Sequence, residues 1–389
     1  MACGVSSAVN DVMKIKMSLP TIPALPTSGT LNERLSALHT RLLDSFPFVD
    51  RIACALYEPA DDTLKTFINS TRTGKAIVGY EASLSGSPSL SQLAQSGDFR
   101  VLNDIASAIK ADTAHSQWLK EQGYQSSFTV PMFDHGKLLG FSFFDSCQLG
   151  AFTTEAQRDL VLYAGLIGMM ISSEMATIRA MIESTKLARE LTEMRDFETG
   201  SHLDRMARYS RLIAHTIAPT HGLDDEFVEG VLLFAPMHDI GKIGIPDRIL
   251  LKPGRLDPDE RAIMMTHVDK GVDIIERIVG QKGEEYFPES SLLRNIVHCH
   301  HEMLDGSGYP RGLKGEDIPI EARIISVADI FDALTAKRPY KKEWSVDDAL
   351  DELMKLSQQG KLDPDCVQAL VSQREAVEDI RTRYLDKDA

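Results

Sequence analysis

The chain has 389 residues, 42 Lys+Arg against 57 Asp+Glu, a formal net charge of −15, and 43% hydrophobic and 25% charged residues. That length exceeds one compact core and implies two or three domains, while the composition is that of a folded protein. The acidity excludes broad binding to a nucleic acid polymer or an anionic membrane and leaves room for one local basic pocket.

Residues 1–30 carry Pro20, Pro23 and Pro26 with no sustained period and are expected to form a flexible leader. No charged start precedes an unbroken apolar core, so no signal peptide is expected. The longest apolar run, Leu160 to Ile171, is several residues short of a bilayer span, so a buried helix is the better reading and a cytoplasmic protein without membrane contact is expected. Cys3, Cys54, Cys147, Cys299 and Cys366 are odd in number and widely spaced, which fits reduced thiols.

Leu31, Leu35, Leu38 and Leu42 recur at helical spacing. Arg51–Tyr57 and Thr63–Asn69 read as strands around an Asp61-Asp62 tip, and Ser89–Ser96 as a short helix. Ser126–Phe133 and Lys137–Asp145 flank Asp134-His135-Gly136, the strongest hairpin signal in the chain. Helix, antiparallel strands and a long closing helix make an α+β pattern. This order resembles a GAF domain over residues 31–172, which implies a small-molecule ligand for a sensor module. Cys54, Phe141, Phe143 and Phe144 are read either as pocket lining or as plain core.

No proline interrupts the helical pattern from Thr153 to about Met194. Ile171, Met175, Ile178 and Ile182 keep a four-three-four spacing that Leu187, Leu191 and Met194 resume after a one-residue slip. A two-stranded coiled coil with a stutter gives this pattern, as does one amphipathic helix packed on its own domain. A homodimer through a linker helix over 173–195 is the expectation.

Beyond residue 195 helical periodicity takes over, and residues 196–389 are expected to form an all-α domain. Phe197–Ile217, Asp225–Ile240, Pro258–Ile278, Ser291–His301, Ile320–Ala336 and Ser345–Gln358 read as helices, with start signals at Asp257-Pro258 and Ser345 and a stop at Gly360. Facing helices suit a buried metal site. Glu198 and His202 lie one turn apart on one helical face. His238-Asp239 and His300-His301 are adjacent pairs, which on a helix diverge by about 100°, so that one member serves one ion while the other bridges to a second. With His267 and Asp329 the set holds five imidazoles and three carboxylates, more than a mononuclear site uses. Such ligation without thiolate suits Fe, Mn or Zn. Metals about 3.5–4 Å apart steady both the attacking and the leaving oxygens in phosphoryl transfer.

The spelling His238-Asp239-Ile-Gly-Lys-Ile-Gly-Ile-Pro-Asp247, followed by His300-His301-Glu302-Met-Leu-Asp305-Gly-Ser-Gly-Tyr309-Pro310, resembles the HD-GYP family of cyclic di-GMP phosphodiesterases. Glu198-Thr-Gly-Ser-His202 matches its upstream signature and Ala328-Asp329-Ile-Phe-Asp332-Ala-Leu-Thr335-Ala-Lys-Arg338-Pro-Tyr340 its downstream one. Gly360-Lys-Leu-Asp363-Pro364 resembles the closing motif, with Leu362 where an aromatic is usual. The resemblance covers about 190–375. It implies that His202, His238, Asp239, His267, His300, His301 and Asp329 are metal ligands, with Glu198 admitting a third ion. Two or three divalent ions are thus expected, Fe first, Mn next and Zn also compatible.

By the same resemblance His238, Asp239 and Lys242 are catalytic, Lys242 standing near the leaving 3′ oxygen. Gly308, Tyr309 and Pro310 of the loop, Lys242, Asp332 and the cations Arg338 and Lys341 are expected on the substrate side. Tyr309 is read either as stacking on guanine or as packing inward, and Asp305 as ordering the loop. His215, His221 and His298 belong to no ligand pattern. The expected protein is a multidomain signalling enzyme: an α+β GAF-like sensor, a long linker helix, and an all-α HD-superfamily domain that opens cyclic di-GMP to linear pGpG, and on to GMP, by metal-hydroxide attack. The rivals are hydrolysis of another cyclic dinucleotide and a catalytically silent cyclic di-GMP receptor acting through signalling-protein partners.

Overall fold

A computed structural model describes residues 29–109, 114–190, 200–279, 290–336 and 343–385. Glu198, Arg338 and Lys341 of the expected site, the leader up to residue 28, and heptad positions Leu191 and Met194 lie outside the described residues.

The N-terminal part begins with α1 (Leu31–Leu42), whose start is fixed by a capping box between Thr30 and Glu33. It continues through β1 (Arg51–Glu58), β2 (Thr63–Thr71), β3 (Glu81–Ser83), α2 (Pro88–Ser96), β4 (Arg100–Leu102), α3 (Ile105–Ala108), α4 (Ala114–Glu121), β5 (Ser126–Asp134) and β6 (Lys137–Ser146) to the long helix α5 (Thr154–Glu190). The strands form one antiparallel sheet in the order β3-β2-β1-β6-β5-β4. The expected hairpin at Asp134-His135-Gly136 is present, with positive φ at His135 (46°) and Gly136 (77°), the geometry a two-residue turn needs to match strand twist. β3 and β4, three residues each, carry too short an alternation to be seen in sequence.

One face of the sheet packs against α1 and α5, burying Leu35, Leu38, Ile52, Phe128, Phe144, Leu160, Ile167 and Ile171. The opposite face, which includes Ala53, Ala55, Thr66, Phe143 and Asp145, lines a cavity of about 670 Å³ closed by the segments around residues 77–90, 100–109 and 115–119. Cys54 and Phe143 therefore border the cavity, Phe144 is core beneath α1 and α5, and Phe141 joins a small cluster with Leu64, Leu84 and Leu93.

The C-terminal part holds α6 (Gly200–His221), α7 (Asp225–Phe234), α8 (Asp247–Leu250), α9 (Pro258–Met265), α10 (His267–Val279), α11 (Ser290–Cys299), α12 (Ile320–Thr335), α13 (Val346–Gln358), α14 (Pro364–Ser372) and α15 (Arg374–Arg383). Their shared core includes Met206, Tyr209, Val231, Phe234, Ile296, Ile325, Phe331, Leu353 and Leu370. Two expected long helices are broken: Asp225–Ile240 ends at Phe234, and Pro258–Ile278 is interrupted at Thr266.

Helix α5 joins the two parts. Ile171 and Met175 are buried in the N-terminal core, whereas Ile178 and Ile182, one and two turns further on, pack into the C-terminal one. The spacing that suggested a coiled-coil seam over Ile171–Ile182 is thus accounted for by burial within the chain, because a single amphipathic helix spanning two cores produces the same period. Over Thr154–Ala180 this helix is long and apolar enough to cross a membrane by length and composition, with 44% of that window buried in the fold.

Candidate metal centre

Each expected ligand in the described residues except Asp329, which lies inside α12, is carried by the end of a helix or the turn that follows one. His202 sits in the first turn of α6, and its Nδ1 lies 2.6 Å from Asp332 Oδ2 on α12. Arg205, one turn along α6, clamps the same carboxylate through Nε at 2.6 Å and Nη2 at 3.1 Å. Burial alone would raise the Asp332 carboxyl, but the bonds from His202 and Arg205 hold it below the usual carboxylate range. Asp332 is fully buried, with both oxygens engaged. It therefore stands behind the ligand cage and does not face a substrate as the sequence reading expected. Asp332→Asn should weaken metal binding by about 10–100-fold, the usual cost of removing a carboxylate that orients a ligating histidine. Metal titration of the stripped protein measures this directly.

Pro236 helps end α7, since a proline has no N–H for the helical ladder. The backbone passes through two 3-10 turns, Ala235–Met237 and Ile240–Gly244. His238 and Asp239 lie between these turns and not on a continuous α-helix as expected. A Cβ at Gly241 would stand 1.8 Å from the His267 carbonyl oxygen and 2.4 Å from Gly271 N on α10. The bare backbones therefore touch, and this contact brings Asp239 Oδ1 to 3.1 Å from His267 Nε2.

α11 stops at Cys299, leaving His300 and His301 in the turn beyond it with ring centroids 4.0 Å apart. Asp239 Oδ1 is 3.7 Å from His300 Nε2, and Oδ2 is 3.1 Å from His238 Nε2 and 2.8 Å from Lys242 Nζ. His238 Nε2 also lies 3.9 Å from Asp329 Oδ1. Two groups result: Asp239, His267, His300 and His301 in one, His202, His238 and Asp329 in the other, each with its ligand atoms within 4.8 Å of one another. They meet at the adjacent pair His238-Asp239.

The donor set fits divalent ions. His238 Nδ1 is 2.9 Å from Ala235 O, His267 Nδ1 is 2.9 Å from Met264 O, and His300 Nδ1 is 3.1 and 3.0 Å from Ile296 O and Val297 O. An Nδ1–H donated to a carbonyl leaves the lone pair on Nε2, the tautomer a metal requires. His267 Nε2, His300 Nε2 and Asp239 Oδ1 are buried without a hydrogen-bond partner, an arrangement that a cation relieves. Burial pushes His300 and His301 down, so both rings are neutral at pH 7. Burial alone would raise Asp239, but Lys242 and His238 hold it well below the usual range and keep it charged.

The loop after His301 is held by Glu302, which sequence reasoning left without a role. Its buried carboxylate accepts Arg311 N at 2.8 Å and Leu313 N at 2.9 Å. A Cβ at Gly308 would lie 2.4 Å from Met303 N and 2.5 Å from His301 O, so only glycine lets the loop fold back this far. Tyr309 donates its N–H to His301 O at 3.1 Å and stacks its ring on that imidazole at 4.6 Å. The Tyr309 ring lies against the imidazole of the expected ligand His301. Asp305 accepts Ser307 N at 2.8 Å and orders the loop. His298 stands 3.6 Å from Asp269, His221 3.0 Å from Asp365, and His215 3.2 Å from the Gly79 carbonyl, none in either ligand group. Arg205 was also missed; its signal was a cation three residues after a ligand on one helical face.

Residues 191–366 match the HD domain family model, and residues 32–171 match the GAF domain family model. The chain carries a GAF domain followed by an HD domain. The HD domain bears both ligand groups, and the GAF domain bears the cavity. Among curated relatives, the Cyclic di-GMP phosphodiesterase of Thermotoga maritima is 42% identical over 54% of this chain and 53% of its own length. The Cyclic di-GMP phosphodiesterase response regulator RpfG of Xanthomonas campestris pv. campestris is 44% identical over 50% and 48%. The 3'3'-cGAMP-specific phosphodiesterase 2 of Vibrio cholerae serotype O1 is 38% identical over 56% and 40%. The chain thus spans about half the length of the curated relatives it matches.

Proposed function

We propose that the HD domain is a metal-dependent phosphodiesterase that opens cyclic di-GMP to linear pGpG, with product chromatography deciding whether GMP follows. The observation that carries this reading is the pair of ligand groups joined at His238-Asp239, with Lys242 held 2.8 Å from Asp239 at their edge. His202, His238, Asp239, His267, His300, His301 and Asp329 would hold two ions, Fe first, then Mn or Zn. Bound there, the ions supply Lewis acidity toward phosphate oxygens and an activated water. The protein's own part is to exclude bulk water by burial of the imidazoles, to keep Asp239 ionised, and to present the Lys242 ammonium where a leaving oxygen takes a proton. Tyr309, on His301, forms one wall beside the phosphate position, with Gly308 and Pro310 setting its approach. Arg338 and Lys341, outside the described residues, supply the remaining phosphate-binding charge in this reading.

Anaerobic purification with elemental analysis, followed by chromatography of products from cyclic di-GMP and from 3′3′-cGAMP, tests the reading. The expected result is pGpG from cyclic di-GMP at the higher rate. No hydrolysis of either by fully metallated protein that still binds nucleotide would replace the enzyme with a receptor, and faster turnover of 3′3′-cGAMP would reassign the substrate. Glu198→Ala should lower the metal content by about one ion per chain and leave the other two in place; equal content in mutant and parent would remove the third ion. A cytoplasmic homodimer completes the proposal. Its contact would use the exposed stripe Leu162, Leu166 and Met169 on α5 (67%, 39% and 70% exposed), since Ile171–Ile182 is buried within the chain.

A further inference from the structure

The cavity of the GAF domain is chemically specific. Three charged side chains border it, Arg51, Arg100 and Asp145, together with His115. Arg51 and Asp145 are buried and paired with each other. Burial, with Arg51 close by, pushes His115 down to about 4, so it adds a neutral ring and no charge. Arg100 is left over. Its Nη1 reaches Ser89 Oγ at 2.8 Å and its Nη2 reaches Thr129 Oγ1 at 3.2 Å, both neutral. Its Nε–H is buried with no acceptor, and among the described residues no carboxylate forms an ion pair with it. A guanidinium in a partly enclosed cavity, where the one carboxylate that acts on it, Asp145, is already paired with Arg51, is costly unless a further anion joins it. The opposite requirement, a flat apolar body, is met by Tyr80, His115 and Phe143 in the lining. Tyr80 and His115 stack at 5.7 Å with 29° between planes, and His115 stacks on Trp118 at 6.1 Å with 16°.

Tyr80 also occupies a particular place between the two domains. Its neighbour Gly79 donates its N–H to Asp225 on α7 at 2.8 Å, and the Gly79 carbonyl stands 3.2 Å from His215 on α6. On its other side, Glu81 pairs with Arg211 on α6. Arg211 in turn reaches Glu229 of α7 at 2.8 Å, and Glu229 pairs with Lys65 of β2. The residue that lines the cavity is thus flanked by the residues that grip α6 and α7. α6 begins with His202, and α7 leads into His238.

We propose that the cavity binds a small planar anion, its acid group on Arg100 and its ring against Tyr80, and that occupancy shifts α6 and α7 through Gly79 and Glu81. The regulatory half rests on the phosphodiesterase reading, whereas the binding half does not, so the tests are separated. In calorimetric titration of the full chain, naphthalene-2-carboxylate should bind at least about tenfold more tightly than its neutral carboxamide, the scale of a charge-assisted hydrogen bond. Arg100→Gln should abolish that preference and Arg100→Lys should retain it. Equal binding of acid and amide, or an acid preference that survives in Arg100→Gln, overturns the site. For transmission, hydrogen exchange of the 200–212 and 225–234 amides should change on adding the carboxylate to parent protein. It should not change in Glu81→Gln, which still binds the acid. Identical exchange with and without the acid in the parent overturns the coupling, whatever the hydrolytic activity.

Discussion

Asp239→Ala should abolish hydrolysis and strip the centre of metal in the same stroke. One carboxylate there does three things at once: Oδ1 faces His267 and His300, Oδ2 faces His238, and the same oxygen holds Lys242. Removing it separates the two groups, leaves three imidazole lone pairs without the charge that completes a cation site, and takes away the carboxylate that holds the proposed proton donor. Several kcal/mol of transition-state stabilisation are expected from a metal centre. At about 1.4 kcal/mol per tenfold, a fall of about 1,000-fold or more follows. His238→Ala should do the same, because it belongs to the second group and touches the first. Elemental analysis beside initial rates decides the point: a variant that keeps its metal and its rate would place the chemistry elsewhere in the molecule.

Gly241→Ala is the second large effect and alters no ligand side chain. The added methyl would occupy the space of the His267 carbonyl and the Gly271 amide, both backbone atoms of α10 that no rotamer change can move. Overpacking of this kind costs about 3 kcal/mol or more. The 3-10 turn must retreat from α10, carrying Asp239 away from His267. A lowered midpoint in urea together with lost metal is the expected pair of results. Full metal content in a destabilised variant would show that the turn can yield without disturbing the ligands. Gly271→Ala approaches from the other side, where a Cβ would meet Val297 at 2.6 Å and the Gly241 amide at 3.4 Å. It should be milder, since a valine side chain can rotate.

These two residues show what could be read from the sequence. The histidines and aspartates that the fold gathers into two groups were legible because those residue types at that density have few other uses, and the main strands and most of the helices were legible from period. Helix interruptions were not. The break after Phe234 did carry a sequence signal, Pro236, which the unbroken apolar period overrode, whereas the break at Thr266 lies where Gly241 touches the His267 carbonyl, a tertiary contact that a one-dimensional pattern does not contain. The same limit hid Arg205 and Glu302. Each acts by satisfying another group, Arg205 the Asp332 carboxylate and Glu302 two loop amides, and such partnerships appear only once the chain is folded. Asp332 was misplaced for that reason: its motif neighbours are ligands, but its side chain turns the other way. The heptad spacing of α5 was read as a partner's footprint because a periodic apolar stripe does not say whose surface covers it.

The reach of α5 has a consequence for how the molecule can be taken apart. Its apolar stripe passes from one hydrophobic core to the other within two turns, Met175 serving the first and Ile178 the second. No cut near residue 175 leaves both halves whole. A catalytic fragment beginning after the helix would bare the pocket that receives Ile178 and Ile182, and a sensor fragment ending before them would leave the Leu31 and Asn32 amides at the start of α1 without the Glu226 carboxylate of α7 to which they donate. The two domains match different family models, yet they are expected to unfold together, because one helix is a structural member of both cores.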